Sequence, residues 1–256
     1  MIHFTSENLN ITTDTAVCIG KFDGVHRGHI ALIDELKRVA QNRGLSTVAL
    51  TFAPHPIAFF SGKHLPLILD PQEKIEIFNK MDIDYYVEYK FDHAFAQTTP
   101  EDFLHKIVAG QLRAKALVVA EGYRFGKGGA GDVSTIKEIC KGLGIEVSVI
   151  GHVVHEGHKI SSDYLRKLIT EKDFGLIKKM LGREFSITGR TIGQTLNMRP
   201  HADKILPQVG EYTTTINIGG KIYESTTTVT ESNILETRIS DFDKNINEET
   251  IVINFK

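Results

Sequence analysis

The sequence predicts an α/β fold, with a doubly wound, Rossmann-like parallel sheet followed by a small antiparallel β-barrel. Two observations lead to this prediction. From residue 16 to about residue 182, short apolar runs alternate with amphipathic helical patterns, which is typical of a parallel sheet covered by helices. After residue 182 the chain is rich in Thr, Ile and Val, and helical patterns are nearly absent. We therefore expect one domain over residues 1–182 and a second over residues 183–256.

The first domain is predicted to alternate strands with helices. The predicted strands are Ala16–Phe22, Ser46–Phe52, Tyr85–Tyr89, Lys115–Ala120 and Glu146–Ile150. The predicted helices are His29–Asn42, Pro71–Met81, Pro100–Leu112, Val133–Leu143, Ser162–Thr170 and Phe174–Leu181. Their apolar residues recur on one side, as Ile75 and Phe78 do. Doubly wound sheets bind ligands at the carboxyl ends of their strands, so the loops after the strands form the candidate site.

The second domain is predicted to be all-β. Residues alternate with period two at Tyr212–Ile218 and Thr250–Phe255, and Gly219-Gly220 between two such runs predicts a hairpin turn. About seventy residues of this texture fit a small antiparallel barrel or sandwich, which is only marginally stable alone.

Composition excludes several classes of partner. The 256 residues carry a formal net charge of -2, so neither a nucleic-acid footprint nor a polybasic membrane surface is expected. No run approaches the roughly 20 apolar residues of a membrane span, and Met1–Glu7 lacks the pattern of a secretion signal. Cys18 and Cys140 fit ordinary reduced thiols, which favours a cytoplasmic protein. Oligomeric state is not indicated.

The most informative segment begins at the end of the apolar run Ala16–Ile19 and reads Ile19-Gly20-Lys21-Phe22-Asp23-Gly24-Val25-His26-Arg27-Gly28-His29. It places two imidazoles, His26 and His29, at a helix N-terminus, where unpaired N–H groups and the helix dipole suit a phosphate. Gly28 has no side chain to keep a nucleotide away from the backbone. The spacing points to a nucleotidyltransferase, in which the two histidines contact a triphosphate. The alternative is that one histidine caps the helix and the other is a solvated surface residue.

Two further loops follow predicted strands. In Thr51–Pro56 two prolines hold His55 in a rigid, extended loop, and Phe59 and Phe60 then offer a stacking face to a planar ligand or belong to the core. In Glu121–Asp132, five glycines permit close backbone approach while Arg124 and Lys127 supply positive charge. The alternative for this third loop is a flexible surface segment.

A fourth candidate is Ile160–Lys167, where Ser161 and Ser162 begin a helix and Arg166 and Lys167 follow one turn later. This arrangement fits a second anion site. The alternative is a plain serine cap before a solvated basic turn. The chain contains no Walker loop, G-x-G-x-x-G fingerprint or Cys/His metal cluster by sequence pattern.

With these four loops together, the chain strongly resembles the bacterial FAD synthetase family, whose usual members are bifunctional riboflavin kinase/FMN adenylyltransferases. Gly20–His29 resembles the family's G-x-F-D-G-V-H-x-G-H, Thr51–Pro56 its T-F-x-P-H-P, Arg124–Gly126 its R-F-G, and Ile160–Arg166 its I-S-S-T-x-I-R. Leu181–Arg183 resembles the L-G-R that closes the family's adenylyltransferase domain.

The resemblance implies the reaction FMN + ATP → FAD + pyrophosphate, with ATP and FMN as substrates and Mg²⁺ as cofactor. The catalytic residues that it implies are His26, His29 and Arg166. It assigns ATP binding to Gly20, Phe22, Gly24, Gly28, Arg124, Ser161 and Ser162, and flavin binding to His55, Pro56, Phe60 and Gly122. Two residues depart from the family pattern. Gly122 stands in place of Asn or Asp, and Asp163 replaces Thr, which places an acid beside an expected phosphate unless Mg²⁺ or Lys167 compensates. Asp163 is also the one candidate metal ligand.

The second domain departs further from the family's riboflavin kinase module. Its opening strand, Phe185–Gly189, resembles the module, but the following segment 190–207 lacks the P-T-A-N motif and reads Gly193-Gln194-Thr195-Leu196-Asn197. Leu235–Phe242 resembles the segment that holds the kinase base, on which Glu236 falls. We therefore expect a monofunctional FMN adenylyltransferase with an inactive kinase-like domain. The alternatives are a bifunctional enzyme and a non-catalytic flavin or nucleotide-binding protein.

Overall fold

A computed structural model describes residues 1–62, 65–193, 195–201, 204–240 and 250–256. Three parts of the sequence-based predictions lie outside these ranges, namely Gln194 and residues 202–203 of the segment 190–207, and residues 241–242 of the segment around Glu236. The chain divides into two compact units. The first comprises Met1–Leu65 and Pro71–Lys159, and the second comprises Pro66–Asp70 and Ile160–Lys256.

The first unit is built on a parallel six-stranded sheet, as predicted. Its strands are β1 (Ile2–Thr5), β2 (Thr15–Ile19), β3 (Ser46–Ala53), β4 (Tyr85–Lys90), β5 (Ala114–Ala120) and β6 (Glu146–Ile150). They pair in the order β1-β4-β3-β2-β5-β6, and every pair is parallel. Strands β2 to β6 confirm the five predicted ones, whereas β1 was not predicted. A separate two-stranded hairpin pairs β7 (Val154–His155) with β8 (His158–Lys159).

Helices connect these strands. They are α1 (Arg27–Arg43), α2 (Pro56–Ser61), α3 (Pro71–Lys80), α4 (His93–Ala96), α5 (Pro100–Asp102) and α6 (Val133–Leu143), with a 3₁₀ turn at Lys127–Gly129. The predicted helix over 100–112 is a short α-helix followed by a π-helix, Phe103–Gln111, in which the Leu112 N–H donates to the Ile107 carbonyl five residues back. In the described parts of the chain, every helix is too short or too polar to cross a membrane.

The core of the first unit lies along the central strands. All five residues of β2 are buried, as are Val48 to Thr51 of β3 and Ala116 to Val119 of β5. Burying a large aliphatic side chain contributes about 1.5–3 kcal/mol, so this apolar centre fixes the register of the sheet. The strand ends at Gly20, Ala53 and Ala120 are thereby held together at one edge, where the candidate loops begin.

The second unit joins two helices to a closed antiparallel barrel. The helices are α7 (Ser162–Glu171) and α8 (Phe174–Leu181). The barrel strands are β9 (Phe185–Thr191), β10 (Met198–Pro200), β11 (Gly210–Ile218), β12 (Lys221–Val229), β13 (Leu235–Arg238) and β14 (Thr250–Phe255), and they close in the order β10-β13-β12-β11-β14-β9. The predicted hairpin at Gly219-Gly220 is confirmed, because Ile218 pairs with Lys221 across it. Strand β10 lies within the segment 190–207.

Aromatic packing attaches α8 to the barrel. The ring of Phe174 lies 5.1 Å from that of Phe255, 5.7 Å from that of Tyr212 and 6.1 Å from that of Phe185. The second compact unit therefore begins its main segment at Ile160, whereas the sequence predicts a boundary between functional domains at residue 182. That functional boundary concerns activities rather than packing and stays a prediction.

The barrel interior contains a chain of buried hydroxyl groups. Thr214 Oγ1 lies 2.8 Å from Ser225 Oγ and 2.8 Å from Thr227 Oγ1, and Thr227 Oγ1 lies 3.0 Å from Thr237 Oγ1. All four side chains belong to buried residues. Each hydroxyl gains a partner from its neighbour, which offsets the cost of removing it from water.

Candidate active site

The loop from Gly20 to His26 connects the carboxyl end of β2 to the first turn of α1. Its base is fixed to the adjacent strand, since the Gly20 N–H donates to the Leu50 carbonyl at 3.1 Å. A Cβ atom at Gly20 would lie 2.9 Å from Cζ of Phe22, so the position of that ring requires a glycine. The loop then turns sharply, with a φ of 90° at Gly24.

Two other residues of this loop adopt left-handed backbone conformations that L side chains rarely take. They are Phe22, with a φ of 49°, and Val25, with a φ of 38°. Such conformations cost about 1–3 kcal/mol each, and most of all at a β-branched residue. Both side chains are fully buried, and their packing holds the strained path in place. Backbone strain of this kind is concentrated at functional sites.

His26 caps α1. Its Nδ1 accepts a hydrogen bond from the backbone N–H of His29 at 3.3 Å, and the two imidazole rings stack with centroids 3.8 Å apart and 14° between their planes. In the neutral ring an accepting Nδ1 leaves the proton on Nε2. The capping role considered as an alternative is therefore correct for His26, and it orients the ring as an Nε2–H donor. His29 also contacts Phe22, at a centroid distance of 5.2 Å.

The loop after β3 uses its histidine in the same way. His55 caps α2, where its Nδ1 accepts from the Ile57 N–H at 3.2 Å, and Pro56 is the first helical residue. The Ala53–Pro54 peptide bond is cis. The helix α2 was not predicted. It displays Phe60 with 66% of its surface exposed, so Phe60 does not belong to the core.

An aromatic cavity of about 460 Å³ lies within the first unit, beside these loops. Its aromatic lining consists of Phe52, Phe60, Phe91, Phe95, Phe103, Tyr123 and Phe125. The rings contact one another in a continuous series, for example Phe95 with Phe103 at 6.1 Å and Phe103 with Phe125 at 5.6 Å. A cavity with this lining suits a planar aromatic ligand.

Several predicted site residues line this cavity. They are Gly20, Pro56, Phe60 and Arg124. His55 and Gly122 are not among the described residues that line it, although both belong to loops that contribute to its walls. Gly122 has a φ of 75°, and a Cβ atom there would meet only His152, at 3.9 Å.

The glycine-rich loop after β5 is ordered by packing and by a helix cap. A Cβ atom at Gly131 would lie 2.5 Å from Cε1 of Phe125, so the ring excludes any side chain there. Asp132 caps α6 by accepting from the Thr135 N–H at 3.0 Å, and hydrogen bonds from Ser134 and Thr135 lower the pKa of its carboxyl group to about 2. Arg124 pairs with this carboxylate at 3.5 Å. These contacts favour a defined conformation around the cap over the alternative of a flexible surface segment.

Burial raises the pKa of the Tyr123 phenol, because the phenolate would lose its hydration. The Tyr123 ring stacks almost parallel to that of Phe125, with 8° between the planes. The phenol is therefore neutral at physiological pH and can donate a hydrogen bond within the cavity.

The fourth predicted loop lies in the second unit. Ser161 caps α7, since its Oγ accepts from the Tyr164 N–H at 3.2 Å, and Ser162 is the first helical residue. Arg166 pairs with Asp163 at 3.4 Å and donates from Nε to the Pro66 carbonyl at 3.4 Å. The residue that compensates Asp163 is thus Arg166. Lys167, expected to do so, pairs with Glu171 at 3.6 Å.

The residues present do not form a resident metal site. Among the described residues no group of three His, Cys, Asp or Glu side chains is placed to hold a metal ion. Asp163, the one candidate ligand, is 87% exposed at its side chain and pairs with a cation. Mg²⁺ commonly binds through substrate phosphates with few protein carboxylates. Mg²⁺ would therefore bind together with the phosphates of ATP.

The predicted residues thus fall into two groups. The first unit brings together Gly20, Phe22, Gly24, His26, Gly28 and His29 in one loop and helix turn, with Pro56, Phe60 and Arg124 at the aromatic cavity. The second unit carries Ser161, Ser162, Asp163 and Arg166.

Sequence reasoning missed most of the aromatic cavity. Phe91, Phe95 and Phe103 lie outside the predicted site loops. Phe52, Tyr123 and Phe125 lie within those loops but were given no individual role. A signal was nevertheless present, because Phe52 is the penultimate residue of β3, Phe91 follows β4 and Phe125 lies in the loop after β5, so three phenylalanines lie near the carboxyl ends of strands. That position in a doubly wound sheet favours ligand contact.

Comparison with known proteins identifies the family. A sequence profile described as FAD synthetase matches residues 9–164. A bifunctional riboflavin kinase/FMN adenylyltransferase of Buchnera aphidicola subsp. Schizaphis graminum is 33% identical over 210 residues, which are 81% of this chain and 65% of that protein. The protein of the same name from Escherichia coli strain K12 is 31% identical over 175 residues, which are 68% of this chain and 56% of that protein.

A third relative of the same name, from Haemophilus influenzae, is 27% identical over 259 residues, which cover 94% of this chain and 84% of that protein. A solved structure described as a macrolide-efflux protein from Streptococcus pneumoniae has a TM-score of 0.90 at 23% identity and covers 100% of this chain and 89% of that chain. This structural likeness shows the fold alone.

The parallel sheet with loops of this kind at its carboxyl edge defines a doubly wound α/β protein. The chain belongs to the FAD synthetase family. The matched regions span 65% and 56% of the Buchnera and Escherichia relatives.

Proposed function

We propose that this protein is an FMN adenylyltransferase, which converts FMN and ATP into FAD and pyrophosphate. The observation that carries the proposal is the pair of stacked imidazoles at the N-terminus of α1, with ring centroids 3.8 Å apart, in the segment that follows the carboxyl end of β2. The aromatic cavity, which shares Gly20 with this loop, supplies a site for a planar substrate. The family membership and the names of the relatives support the same activity.

In the proposed mechanism the triphosphate of ATP binds at the N-terminus of α1. Backbone N–H groups and the positive end of the helix dipole attract phosphate oxygens there. The Nε2–H of His26, fixed by the cap on Nδ1, donates to an oxygen. His29 stabilises the charge that develops at the α-phosphorus and at the departing pyrophosphate. Gly24 and Gly28 keep side chains away from the nucleotide.

The chemical step is an in-line displacement. A phosphate oxygen of FMN forms a bond to the α-phosphorus of ATP, and the bond from that phosphorus to the bridging oxygen of the β-phosphate breaks. Pyrophosphate leaves with the electron pair. The FMN phosphate is already largely ionised at neutral pH, so a strong general base is unnecessary. Positioning and charge neutralisation therefore supply most of the rate enhancement.

The remaining predicted residues keep their proposed roles. Ser161, Ser162 and Arg166 are proposed to bind phosphate oxygens of ATP, as the family motif implies. Phe60 and Pro56 are proposed to contact the flavin, and support comes from their place on the aromatic cavity. His55 and Gly122 are proposed to act from the loops beside it. We propose a cytoplasmic location for this activity, because ATP is available there.

A chromatographic assay tests the proposal. Purified protein is incubated with ATP and Mg²⁺, in one reaction with FMN and in another with riboflavin, and the products are separated. We expect FAD and pyrophosphate from FMN and no FMN from riboflavin. If neither reaction yields product while FMN binds, the protein is a non-catalytic flavin-binding protein and the proposal is wrong.

Bifunctional riboflavin kinase activity is a second candidate. It is favoured by the closed barrel and by the Haemophilus relative, whose match covers 94% of this chain. Glu236 lies on β13, half-buried, with Leu235 and Thr237 on either side of it pointing into the barrel. Formation of FMN from riboflavin and ATP in the same assay would establish this second activity and overturn the single-activity proposal.

A further inference from the structure

A cluster of three charged side chains that the proposed mechanism does not use lies beside the loop that leads to His26. Asp23 belongs to that loop and is only 1% exposed, Lys74 lies near the N-terminus of α3, and Glu88 lies on β4. Lys74 and Glu88 are half-buried. Removal from water lowers the pKa of Lys74, and the nearby carboxylates of Asp23 and Glu88 oppose that lowering. One ammonium group therefore lies near two carboxylates.

Aromatic packing holds α3 against both the loop and the strand. Phe78 follows Lys74 by four residues, so the two side chains lie on the same face of α3. The buried ring of Phe78 contacts Phe22 of the loop edge-on at 5.1 Å and stacks on Tyr86 of β4 at 5.0 Å. The face of α3 that carries Lys74 is therefore packed on the two segments that carry the carboxylates.

Asp23 occupies the strained part of the loop. It lies between Phe22, with a φ of 49°, and Val25, with a φ of 38°. A buried carboxylate is costly unless positive charge and hydrogen bonds compensate it. A cation near Asp23 therefore stabilises the strained path, and the position of His26, directly after Val25, depends on that path.

We propose that Lys74 is a positioning residue for adenylyl transfer, whose ammonium group compensates the carboxylates of Asp23 and Glu88 and so keeps the loop in the conformation that orients His26. This inference rests on the proposed function and adds a residue that acts through the loop, without contact with ATP or the flavin. Without the ammonium group the two carboxylates would repel each other, and the loop would be displaced from β4.

Steady-state kinetics of FAD synthesis test this role. Lys74→Met is expected to lower kcat/KM for ATP roughly tenfold or more, because a displaced loop loses its alignment with the reacting phosphate. The KM for FMN is expected to stay within about twofold of wild type, since Lys74 is not among the described residues that line the aromatic cavity. Lys74→Arg keeps the charge and is expected to retain most of the wild-type activity.

A second substitution separates charge from packing. Adding Glu88→Gln to Lys74→Met removes the repulsion between the carboxylates, so kcat/KM is expected to recover at least about threefold. The single variant Glu88→Gln completes the double-mutant cycle. A loss caused only by loosened packing of α3 would not be recovered by neutralising a side chain on β4. Lys80→Met is the matched control, because Lys80 is an exposed lysine in the last turn of the same helix.

NMR of the imidazole nitrogens tests the positioning step without turnover. The wild type is expected to show His26 as the Nε2–H tautomer that its cap through Nδ1 requires, and Lys74→Met is expected to show a mixture of tautomers. Thermal unfolding establishes that each variant is folded. Where Lys74→Met does not fold, Lys74→Gln replaces it with the same expected results.

Several results would overturn the role of Lys74. They are unchanged kinetics or an unchanged His26 tautomer in Lys74→Met, an equal loss in Lys80→Met, and a loss that neither Lys74→Arg nor Glu88→Gln recovers. If the wild type makes FAD in these cases, the inference fails and the proposed function stands. If the wild type makes no FAD, the proposed function fails, and the tautomer in Lys74→Met still decides whether Lys74 orients His26.

Discussion

The imidazole of His26 is held by His29 in two ways, through a hydrogen bond from the His29 backbone N–H to Nδ1 at 3.3 Å and through ring stacking at 3.8 Å. The cap and the stack together leave the His26 ring with one orientation and one neutral tautomer. The same residue therefore begins a helix and presents a donor. The helix cap uses Nδ1 of this histidine, and its proposed contact with phosphate uses Nε2.

Replacement of His29 tests the catalytic half of this pair. His29→Ala is expected to lower kcat/KM for FAD synthesis by roughly 100-fold or more, because an electrostatic contact to the transition state is lost. Steady-state kinetics measure the effect, and thermal unfolding establishes that the variant is folded. His105→Ala, which removes an exposed histidine of the π-helix, is the control. A nearly wild-type rate for His29→Ala would limit the imidazole to a structural role.

Phe60 allows flavin contact to be separated from stability. Its ring lines the cavity and is 66% exposed, so Phe60→Ala is expected to change the free energy of unfolding by no more than about 0.5 kcal/mol. The KM for FMN is expected to rise roughly five- to tenfold through lost stacking, with the KM for ATP unchanged. Ile57→Ala, on the same helix but outside the cavity lining, should leave both constants unchanged. An unchanged KM for FMN in Phe60→Ala would remove this ring from the flavin site.

The ion pair of Arg166 with Asp163 predicts a variant that binds ATP better. Asp163→Thr restores the family residue and releases Arg166 from the carboxylate that lies 3.4 Å away. Ion pairs with one exposed partner, such as Asp163 here, contribute up to about 1 kcal/mol, so the KM for ATP is expected to fall about two- to fivefold. Glu171→Thr breaks the Lys167 pair on the same helix and should leave the KM unchanged. A higher KM in Asp163→Thr would instead support Asp163 as a metal ligand.

Asp132 predicts a pH dependence of stability. Its pKa is lowered to about 2 in the folded protein, mainly by the Ser134 and Thr135 hydrogen bonds, from an ordinary value of 3.8. The cap therefore stabilises the fold above pH 4, and this contribution is lost as the pH falls from about 4 towards 2. In Asp132→Asn the amide keeps a cap but does not titrate. Urea denaturation at pH 5 and pH 3 should give a smaller difference in the free energy of unfolding for the variant, and an equal difference would contradict the assignment.

Glu236 distinguishes the two candidate activities. Glu236→Ala is expected to leave FAD synthesis within about twofold of wild type, because Glu236 is a half-buried barrel residue that does not belong to the described lining of the aromatic cavity. Product analysis with FMN measures this directly. If the wild type phosphorylates riboflavin and the variant does not, Glu236 is a kinase residue. A large loss of FAD synthesis would show that the barrel is coupled to adenylyl transfer.

Much of this fold follows from local patterns. The buried run of β2, the amphipathic helix Val133–Leu143 and the Gly219-Gly220 turn are each specified by residues within a few positions of one another. The edge strand β1 was missed because three of its four residues are exposed and show no apolar pattern. The π-helical geometry of Phe103–Gln111 was missed because the wider turn leaves the same apolar spacing as an α-helix over a short segment.

The site shows the same division. The histidine loop was predictable because a strand, a turn and a helix start lie within eleven residues, Ile19–His29. The aromatic cavity was not predictable, because its lining residues are spread over the sequence from Gly20 to Gly129. Which of them lie together can be inferred only when the strand order of the sheet is known. The pairing of Asp163 with Arg166 one turn later on α7 is a local contact. Helical spacing alone could have indicated it.

The buried hydroxyl groups inside the barrel make single substitutions there destabilising. Removing the hydroxyl of Thr227 alone would take from Thr237 its partner at 3.0 Å, while Thr214 would keep Ser225 at 2.8 Å, and an orphaned buried hydroxyl costs about 1–3 kcal/mol. Replacing all four hydroxyl-bearing residues together with apolar residues of similar shape avoids that penalty. Stepwise mutation towards an apolar interior must therefore pass through less stable sequences. Substitutions at these four positions are therefore expected to be tolerated together more readily than one at a time.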